Sequence, residues 1–224
     1  MAGVTALEML VAVALVGVMA ALAVPGLQNW RQDNQVRDVA RKVADAFMLA
    51  RSEAIRTGNR HIVYLSAGGA GDPVATPLPL DPRSGGPVPV LVTNDGAPGA
   101  NNCLFDANED VHVVLSVAPP GVNWGQTVAL SNGAAAPNDP VGDIAPLIDG
   151  VSFTDGAGNP ATWVMFRADG IPIAFNPGCV VGPPGSGVGA VYITNGRRDY
   201  AIVLTALGGV RVHGWDAGGA QWRL

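Results

Sequence analysis

The chain begins with an apolar run. Between Val4 and Leu27 the only ionisable side chain is that of Glu8, and every residue from Met9 to Val24 is apolar. At about 1.5 Å per residue, the 24 residues of this run would form a helix about 36 Å long, which is enough to cross the hydrocarbon core of a bilayer. The pattern therefore predicts a membrane-spanning helix.

The next segment has the periodicity of an amphipathic helix. Its apolar residues recur at intervals of three and four positions, which places them on one face: Val36, Ala40, Val43, Phe47, Ala50 and Ala54. Gly58 follows as a suitable carboxy-terminal cap, and Pro25 interrupts the helical hydrogen bonds. We therefore expect one helix from Thr5 to about Thr57, kinked at Pro25.

Beyond the helix, short β-branched and aromatic runs alternate with stretches rich in glycine and proline. Hairpin turns are expected at Asp169-Gly170, Asn195-Gly196 and Gly208-Gly209. The predicted strands are His61–Ser66, Val90–Thr93, Val111–Val117, Trp124–Ser131, Val151–Thr154, Thr162–Arg167, Ile171–Phe175, Val188–Asn195, Tyr200–Ala206 and Val210–Trp215.

The fold class predicted from these elements is α+β, with a long kinked amino-terminal helix packed on an antiparallel β-domain. We divide the chain into residues 1–3, a transmembrane half at 4–27, an amphipathic half at 28–58, and a β-rich domain at 59–224. At 224 residues and 48% apolar content, the chain is long enough to bury a core in one domain beyond the apolar helix.

Charge divides the chain into a basic and an acidic part. Residues 28–60 carry seven basic and four acidic side chains, whereas residues 61–224 carry six basic and thirteen acidic ones. An acidic domain is unfavourable for binding nucleic acid, because affinity for the phosphate backbone depends on clustered positive charge.

The two cysteines, Cys103 and Cys179, fit no metal-binding or CxxC spacing. In an exported domain they would form a disulfide, and the alternative is a pair of buried free thiols. Closing a loop of this length would stabilise the fold by roughly 4 kcal/mol in the chain-entropy model.

Candidate catalytic and metal-binding chemistry is sparse. His61, His112 and His213 are scattered, and the chain has no nucleophile elbow, phosphate loop or HExxH motif. The acidic turn Asp106–Asp110 could ligate calcium, but it lacks the glycine and distal glutamate of an EF-hand, and a solvated turn is the preferred interpretation. We predict no enzyme, no cofactor and no metal site.

The residues around Glu8 resemble a known processing signal. Gly3, followed by Val4 to Glu8, is similar to the class III signal of type IV pilins and type II secretion pseudopilins. The resemblance implies cleavage by a prepilin peptidase between Gly3 and Val4, methylation of the new amino group, and a role for Glu8 in assembly. Pro25 then matches the helix-kinking proline of that family. The alternatives are an interfacial carboxylate at Glu8 and a secretory signal peptide.

Blocks near both ends of the chain resemble the GspH/FimT family of minor pilins. They are Ala50–Arg56, Phe166–Gly170, Gly189–Asn195, Tyr200–Thr205 and Leu207–Arg211. The resemblance implies a structural minor pilin that primes a type IV pilus or lies near its tip; the alternative is an H-type pseudopilin of a type II secretion system. Its partners would be other pilins or pseudopilins, the prepilin peptidase and the inner-membrane assembly platform.

The implied location is the inner membrane, with a single span and a periplasmic domain, followed by incorporation into a pilus or pseudopilus. Two features depart from this expectation. The leader Met1-Ala2-Gly3 has no basic residue, although pilin leaders normally carry one. Arg31 and Arg37 follow the span, and by the positive-inside rule alone they would place the domain in the cytoplasm.

DNA uptake is the alternative function of a different class, because some FimT relatives bind DNA through a GRxR-like motif. The matching stretch here, Gly208 to Arg211, lacks the first arginine. The basic residues available nearby are Arg197, Arg198, Arg211 and Arg223. We therefore expect nucleic-acid binding to be absent.

Overall fold

The computed structural model describes residues 5–65, 73–74, 76–96, 98–127, 131, 133–139 and 150–224, and for residues 22–25 the backbone alone. A single long, bent helix packs on two antiparallel β-sheets, so the predicted α+β class is confirmed. The described elements are α1 (Ala6–Thr57), β1 (His61–Leu65), β2 (Val90–Asn94), β3 (Val111–Leu115), β4 (Asn123–Trp124), β5 (Trp163–Phe166), β6 (Pro172–Ile173), β7 (Gly189–Thr194), β8 (Asp199–Leu204), β9 (Val210–Asp216) and β10 (Gln221–Arg223).

The helix ends where the sequence predicts. Gly58 adopts the left-handed conformation, with φ 71°, and its N–H donates to the carbonyl of Ala54. A residue with a Cβ would be strained in this conformation, which is why glycine commonly ends a helix.

The amphipathic half of α1 forms the centre of the main core. All six residues of the predicted apolar stripe are fully buried, and they pack against strands of both sheets. Phe47 is the largest of them, and its ring lies 5.8 Å from that of Phe153. Burial of this stripe holds the helix to the domain, because each large apolar side chain contributes about 1.5–3 kcal/mol.

Both sheets have five strands in the described residues. Sheet 1 has the order β3-β2-β1-β5-β6, and sheet 2 has the order β10-β9-β8-β7-β4. The three predicted hairpin turns connect β5 to β6, β7 to β8, and β8 to β9, as expected. Because α1 crosses the inner faces of both sheets, it joins them into one core.

Irregular segments cover the outer faces of the sheets. On sheet 1, Tyr64 and Trp163 are buried beneath Leu78, Val88 and Phe105 from the predicted loop regions. On sheet 2, Tyr192 packs with Ala136 and Trp222. The central strands are therefore buried on both faces, and they read as continuous apolar runs rather than alternating patterns.

Three predicted strands differ from the structure. Val151–Thr154 makes isolated bridges only, because the Ser152 hydroxyl accepts from the Ala190 N–H where a ladder would use a backbone carbonyl. Ile171–Phe175 shortens to β6, which begins at a proline on the edge of its sheet. Trp124–Ser131 retains only the pair in β4, and residues 128–130 lie outside the described residues.

Strand β10 has no counterpart in the sequence predictions. It is too short for a periodic pattern, with three residues. It is held by tertiary contacts instead: the Trp222 indole N–H donates to the carbonyl of Ala134 at 2.9 Å, and the Trp222 ring lies 5.9 Å from that of Tyr192.

Candidate functional site: the exposed amino-terminal helix

The first half of α1 projects from the domain with its apolar side chains in solvent. Leu7 is 74% exposed, Leu10 70% and Val13 70%, and the first buried side chain among those described is that of Val36. Within the described residues this is the one helix long and apolar enough to cross a membrane. Exposed apolar patches of this extent mark contact with a membrane or another protein, because soluble monomers rarely tolerate them.

Glu8 lies in a capping box at the start of this helix. Its Oε2 accepts the Thr5 N–H at 2.9 Å and the Thr5 hydroxyl at 3.0 Å, and the Thr5 Oγ1 accepts the Glu8 N–H at 3.3 Å. The carboxylate therefore satisfies donors that a helix leaves unpaired in its first turn. It also stays at the helix end, where its other oxygen, Oε1, accepts no hydrogen bond from the described residues.

Thr5 was expected as the first residue of the helix, but its capping box with Glu8 was not predicted. The signal was present, because Thr5 and Glu8 are spaced as in the S/T-x-x-E capping box that precedes an apolar run. The predicted cleavage site, Gly3 and Val4, lies outside the described residues. At Pro25 the backbone is helical and its side chain is not described, so the kink assigned to that residue stays a prediction.

A polar contact fixes the helix where it meets the domain. Asp33 accepts from the Asn195 side-chain amide at 3.0 Å and from Arg198 Nε at 2.9 Å. Partial burial acts to raise the pKa of Asp33, but the hydrogen bonds from Asn195 and Arg198 outweigh it and lower that pKa below its usual range. The β7–β8 turn therefore anchors the base of the projecting helix.

A second contact fixes the end of the helix. Arg51 donates to the carbonyl of Gly208 at 3.1 Å, in the turn between β8 and β9. Gly208 has φ 77°, and a Cβ there would lie 2.7 Å from the carbonyl oxygen of Gly170 in the β5–β6 turn. Arg51 and the two hairpin turns, one from each sheet, therefore meet at one point.

The predicted disulfide is present in the structure. Cys103 and Cys179 are bonded, with their Cα atoms 5.2 Å apart. The Cys103 N–H donates to Asp95 Oδ1 at 2.9 Å, and Asp95 Oδ2 pairs with Arg60 at 2.9 Å. The bond therefore ties the segment after β2 to the segment after β6 on the outer face of sheet 1.

The acidic turn Asp106–Asp110 is built around internal contacts. Asp106 accepts from the Asn102 side-chain amide at 2.9 Å, and Glu109 is 7% exposed. No group of three or more His, Cys, Asp or Glu side chains in the described ranges is arranged to hold a metal ion. Burial raises the pKa of Glu109 to about 8, so at neutral pH it is mostly protonated and is a poor ligand for calcium.

The three histidines do not come together. His61 and His213 are buried in strands of different sheets, and His112 is exposed on the edge strand β3. Burial lowers the pKa of both His61 and His213, which favours their neutral forms.

Two of the four arginines considered for DNA binding are in ion pairs within the domain. Arg198 is engaged by Asp33, and Arg223 is engaged by Asp216. Arg197 lies in the β7–β8 turn and Arg211 in β9. These pairings reduce the positive charge available to a polyanion.

No protein-family model, curated protein or solved structure matches this chain. The candidate site therefore rests on the residues and contacts described above. Among them, the exposed apolar helix with its capped carboxylate is the candidate site.

Proposed function

We propose that this chain is a structural minor pilin, whose apolar helix packs into the helical core of a type IV pilus and whose β-domain faces outward near the tip. The supporting observation is that the core of the domain forms from the later half of α1 and the two sheets, while every described side chain in the apolar half of α1 is exposed. A helix of this kind can occupy a bilayer before assembly and a bundle of similar helices after it.

The proposed assembly depends most on Glu8, which must find a positively charged partner. A carboxylate at the edge of an apolar span is costly unless it meets a partner. In the proposed filament the partner is the amino group created on Val4 of an adjacent subunit after cleavage at Gly3. A buried ion pair offsets the loss of hydration only with good geometry, so the pair would select the axial register of subunits more than it would add stability.

The same apolar helix would carry the chain from the membrane into the filament. The chain would enter the inner membrane with a single span and its domain in the periplasm, lose residues 1–3, and move into the pilus with other pilins. Small residues along the span, such as Ala14, Gly17 and Ala21, would let neighbouring helices approach closely.

Two substitutions at Glu8 separate its possible roles. Glu8→Gln keeps the hydrogen-bonding pattern of the capping box but removes the charge, whereas Glu8→Ala removes both. If the charge pairs with a neighbouring subunit, both variants are membrane-anchored, cleaved and folded, yet neither assembles efficiently. Filament number and co-purification with partner pilins would be measured in cells with no second copy of the gene.

Asp45→Ala is the matched control, because Asp45 is an exposed carboxylate on the amphipathic half of the same helix. It should assemble as the unsubstituted chain does. Normal assembly of Glu8→Gln with failure of Glu8→Ala would assign Glu8 to helix capping alone. Normal assembly of both variants, or a chain that retains Met1 in cells with an active prepilin peptidase, would contradict the proposal.

A further inference from the structure

A groove lies between α1 and the last strands of sheet 2, away from the exposed half of the helix. Its volume is about 470 Å³. Arg37 and Arg41 form the helix wall, and the opposite wall includes Tyr200, Trp215 and Arg223. The groove thus combines three guanidinium groups with two aromatic rings.

The charge of this groove is opposite to that of the chain as a whole. Arg37 makes no ion pair or side-chain hydrogen bond with any described residue. Arg41 has one distant partner, Asp38 at 3.9 Å, and both side chains are at least 60% exposed. Among the described residues that line the groove, the one acidic side chain is that of Asp216, and it is engaged by Arg223 at 2.8 Å. Arg37 and Arg41 therefore remain available in a protein whose net charge is −5.

Gly214 keeps the groove open. It lies in β9 directly opposite Tyr200, and a Cβ at this position would make ordinary contact, at 3.5 Å, with the Tyr200 ring. Its φ is outside the left-handed region, so the backbone does not require glycine here. The missing side chain leaves space between the helix and the sheet, and a larger residue would fill it.

We propose that this groove docks an extended acidic peptide segment of another protein, whose carboxylates at alternate positions bind Arg37 and Arg41. Residues four apart on a helix are separated by about 6 Å along its axis, and alternate residues of an extended chain by about 6.6 Å. Each guanidinium presents a planar pair of donors that matches one carboxylate. The spacing of the two arginines therefore selects carboxylates on one side of a strand.

A peptide fits this surface better than a nucleic acid does. A short peptide interacts with the local groove, whereas a long polyanion also meets the surrounding acidic domain and is repelled by it. The rings of Tyr200 and Trp215 would pack against the apolar parts of the peptide. The inference does not depend on pilus assembly, because it uses a different face of the molecule.

The test is a binding titration of the full chain in detergent micelles with fluorescent peptides up to millimolar concentration. The probe is Thr-Glu-Thr-Glu-Thr, which places both carboxylates on one side of an extended chain. Two control peptides are Thr-Gln-Thr-Gln-Thr, which lacks the charge, and Thr-Glu-Glu-Thr-Thr, which places the carboxylates on opposite sides. A single-stranded oligonucleotide is the competing ligand.

Saturable binding of the alternating peptide, at least about tenfold tighter than of either control peptide, is the expected result. The double variant Arg37→Glu/Arg41→Glu and the filled-groove variant Gly214→Leu should each lose it. Lys42→Glu/Arg211→Glu changes the net charge equally at exposed positions outside the groove, and it should bind as the unsubstituted chain does.

Three results would overturn the proposal. They are absence of saturable binding to the unsubstituted chain, equal binding by the double variant and its control, and tighter binding of the oligonucleotide than of the peptide. Thermal unfolding of each variant, monitored by circular dichroism, ensures that lost binding is compared between folded proteins only.

Discussion

At the scale of single residues, Glu109 shows how strongly burial changes a carboxyl group. Burial raises its pKa to about 8, and the neighbouring charges of Asp95 and Asp106 add to this rise. The folded state therefore holds a proton on Glu109 under conditions in which the unfolded chain has released it. Arg60, the nearby cation, is paired with Asp95.

We predict that Glu109 makes the domain less stable as the pH rises. Between the ordinary pKa of 4.5 and the folded-state value of about 8, the folded chain binds more protons than the unfolded chain, so the free energy of unfolding falls and then levels off. Glu109→Gln keeps the shape of the neutral group and should remove this fall. Near pH 9 the variant should be more stable by roughly 2–5 kcal/mol.

Chemical denaturation across this pH range is the measurement, and Asp110→Asn is the control. Asp110 is the exposed neighbour of Glu109, and this substitution makes the same change in charge. An identical pH dependence in Glu109→Gln and the unsubstituted chain would refute the assignment.

At the scale of elements, the end of α1 is locked where the β5–β6 and β8–β9 turns meet. We predict that Gly208→Ala is more destabilising than Gly196→Ala, although both glycines have positive φ, at 77° and 81°. A Cβ at Gly196 meets no atom within 4 Å, whereas one at Gly208 would lie 2.7 Å from the Gly170 oxygen.

The expected losses are about 1 kcal/mol for Gly196→Ala, from backbone strain alone, and roughly 2–4 kcal/mol for Gly208→Ala, from strain and crowding. Urea unfolding of both variants would give the difference. Equal losses of stability in the two variants would show that the β5–β6 and β8–β9 turns move apart to accommodate the new Cβ without a loss of free energy.

The base of the projecting helix gives a second prediction for the elements. Asp33→Ala removes the acceptor of Asn195 and Arg198, so the helix should sample a wider range of angles to the domain. The expected loss of stability is small, about 0.5–1 kcal/mol, because Arg198 is 57% exposed. Spin labels at Ala20 and Ala217 would report a broadened distance distribution.

Asp38→Ala is the control for this change, since Asp38 lies on the same helix and its ion pair with Arg41 spans 3.9 Å. Its distance distribution should match that of the unsubstituted chain.

The contact of Asp33 should also depend on pH, because Asn195 and Arg198 lower the pKa of its carboxyl group. The contact should stabilise the fold fully at pH values above the ordinary pKa of an aspartate. This stabilisation should be lost as the pH falls through the lowered pKa.

At the scale of the whole molecule, the disulfide joins two segments that cover the outer face of sheet 1. We predict that Cys103→Ala/Cys179→Ala destabilises the domain by roughly 4 kcal/mol, because the bond closes a loop across a sequence separation of 76. The contacts of α1 with the inner faces of the sheets should persist, since they do not involve the two segments that the disulfide joins.

Thermal unfolding and amide hydrogen exchange would test both statements. Faster exchange should be confined to the two segments that the disulfide joins, after β2 and after β6, and to β1, β2 and β5 of sheet 1. The oxidised and reduced forms of the unsubstituted chain provide the comparison. Uniform loss of protection in both sheets would contradict the prediction that the inner-face contacts of α1 persist without the disulfide.

The sequence by itself determined the elements whose identity is local. The apolar run, the three-four stripe from Val36 to Ala54 and the cap at Gly58 specify α1, because helical periodicity and left-handed backbone are properties of neighbouring residues. The three glycine-containing turns fixed the hairpins in the same way. Glu8 is distinctive from the sequence because it is the one ionisable side chain between Val4 and Leu27.

The tertiary structure decided what depends on distant residues. It alone arranged the strands as two sheets joined by the helix, held β10 through the contacts of Trp222 with Ala134 and Tyr192, and reduced Val151–Thr154 to bridges. It also placed Arg37 and Arg41 beside β9, where the space above Gly214 leaves a groove. Burial, pairing and open space arise from residues far apart in sequence, so no local pattern encodes them.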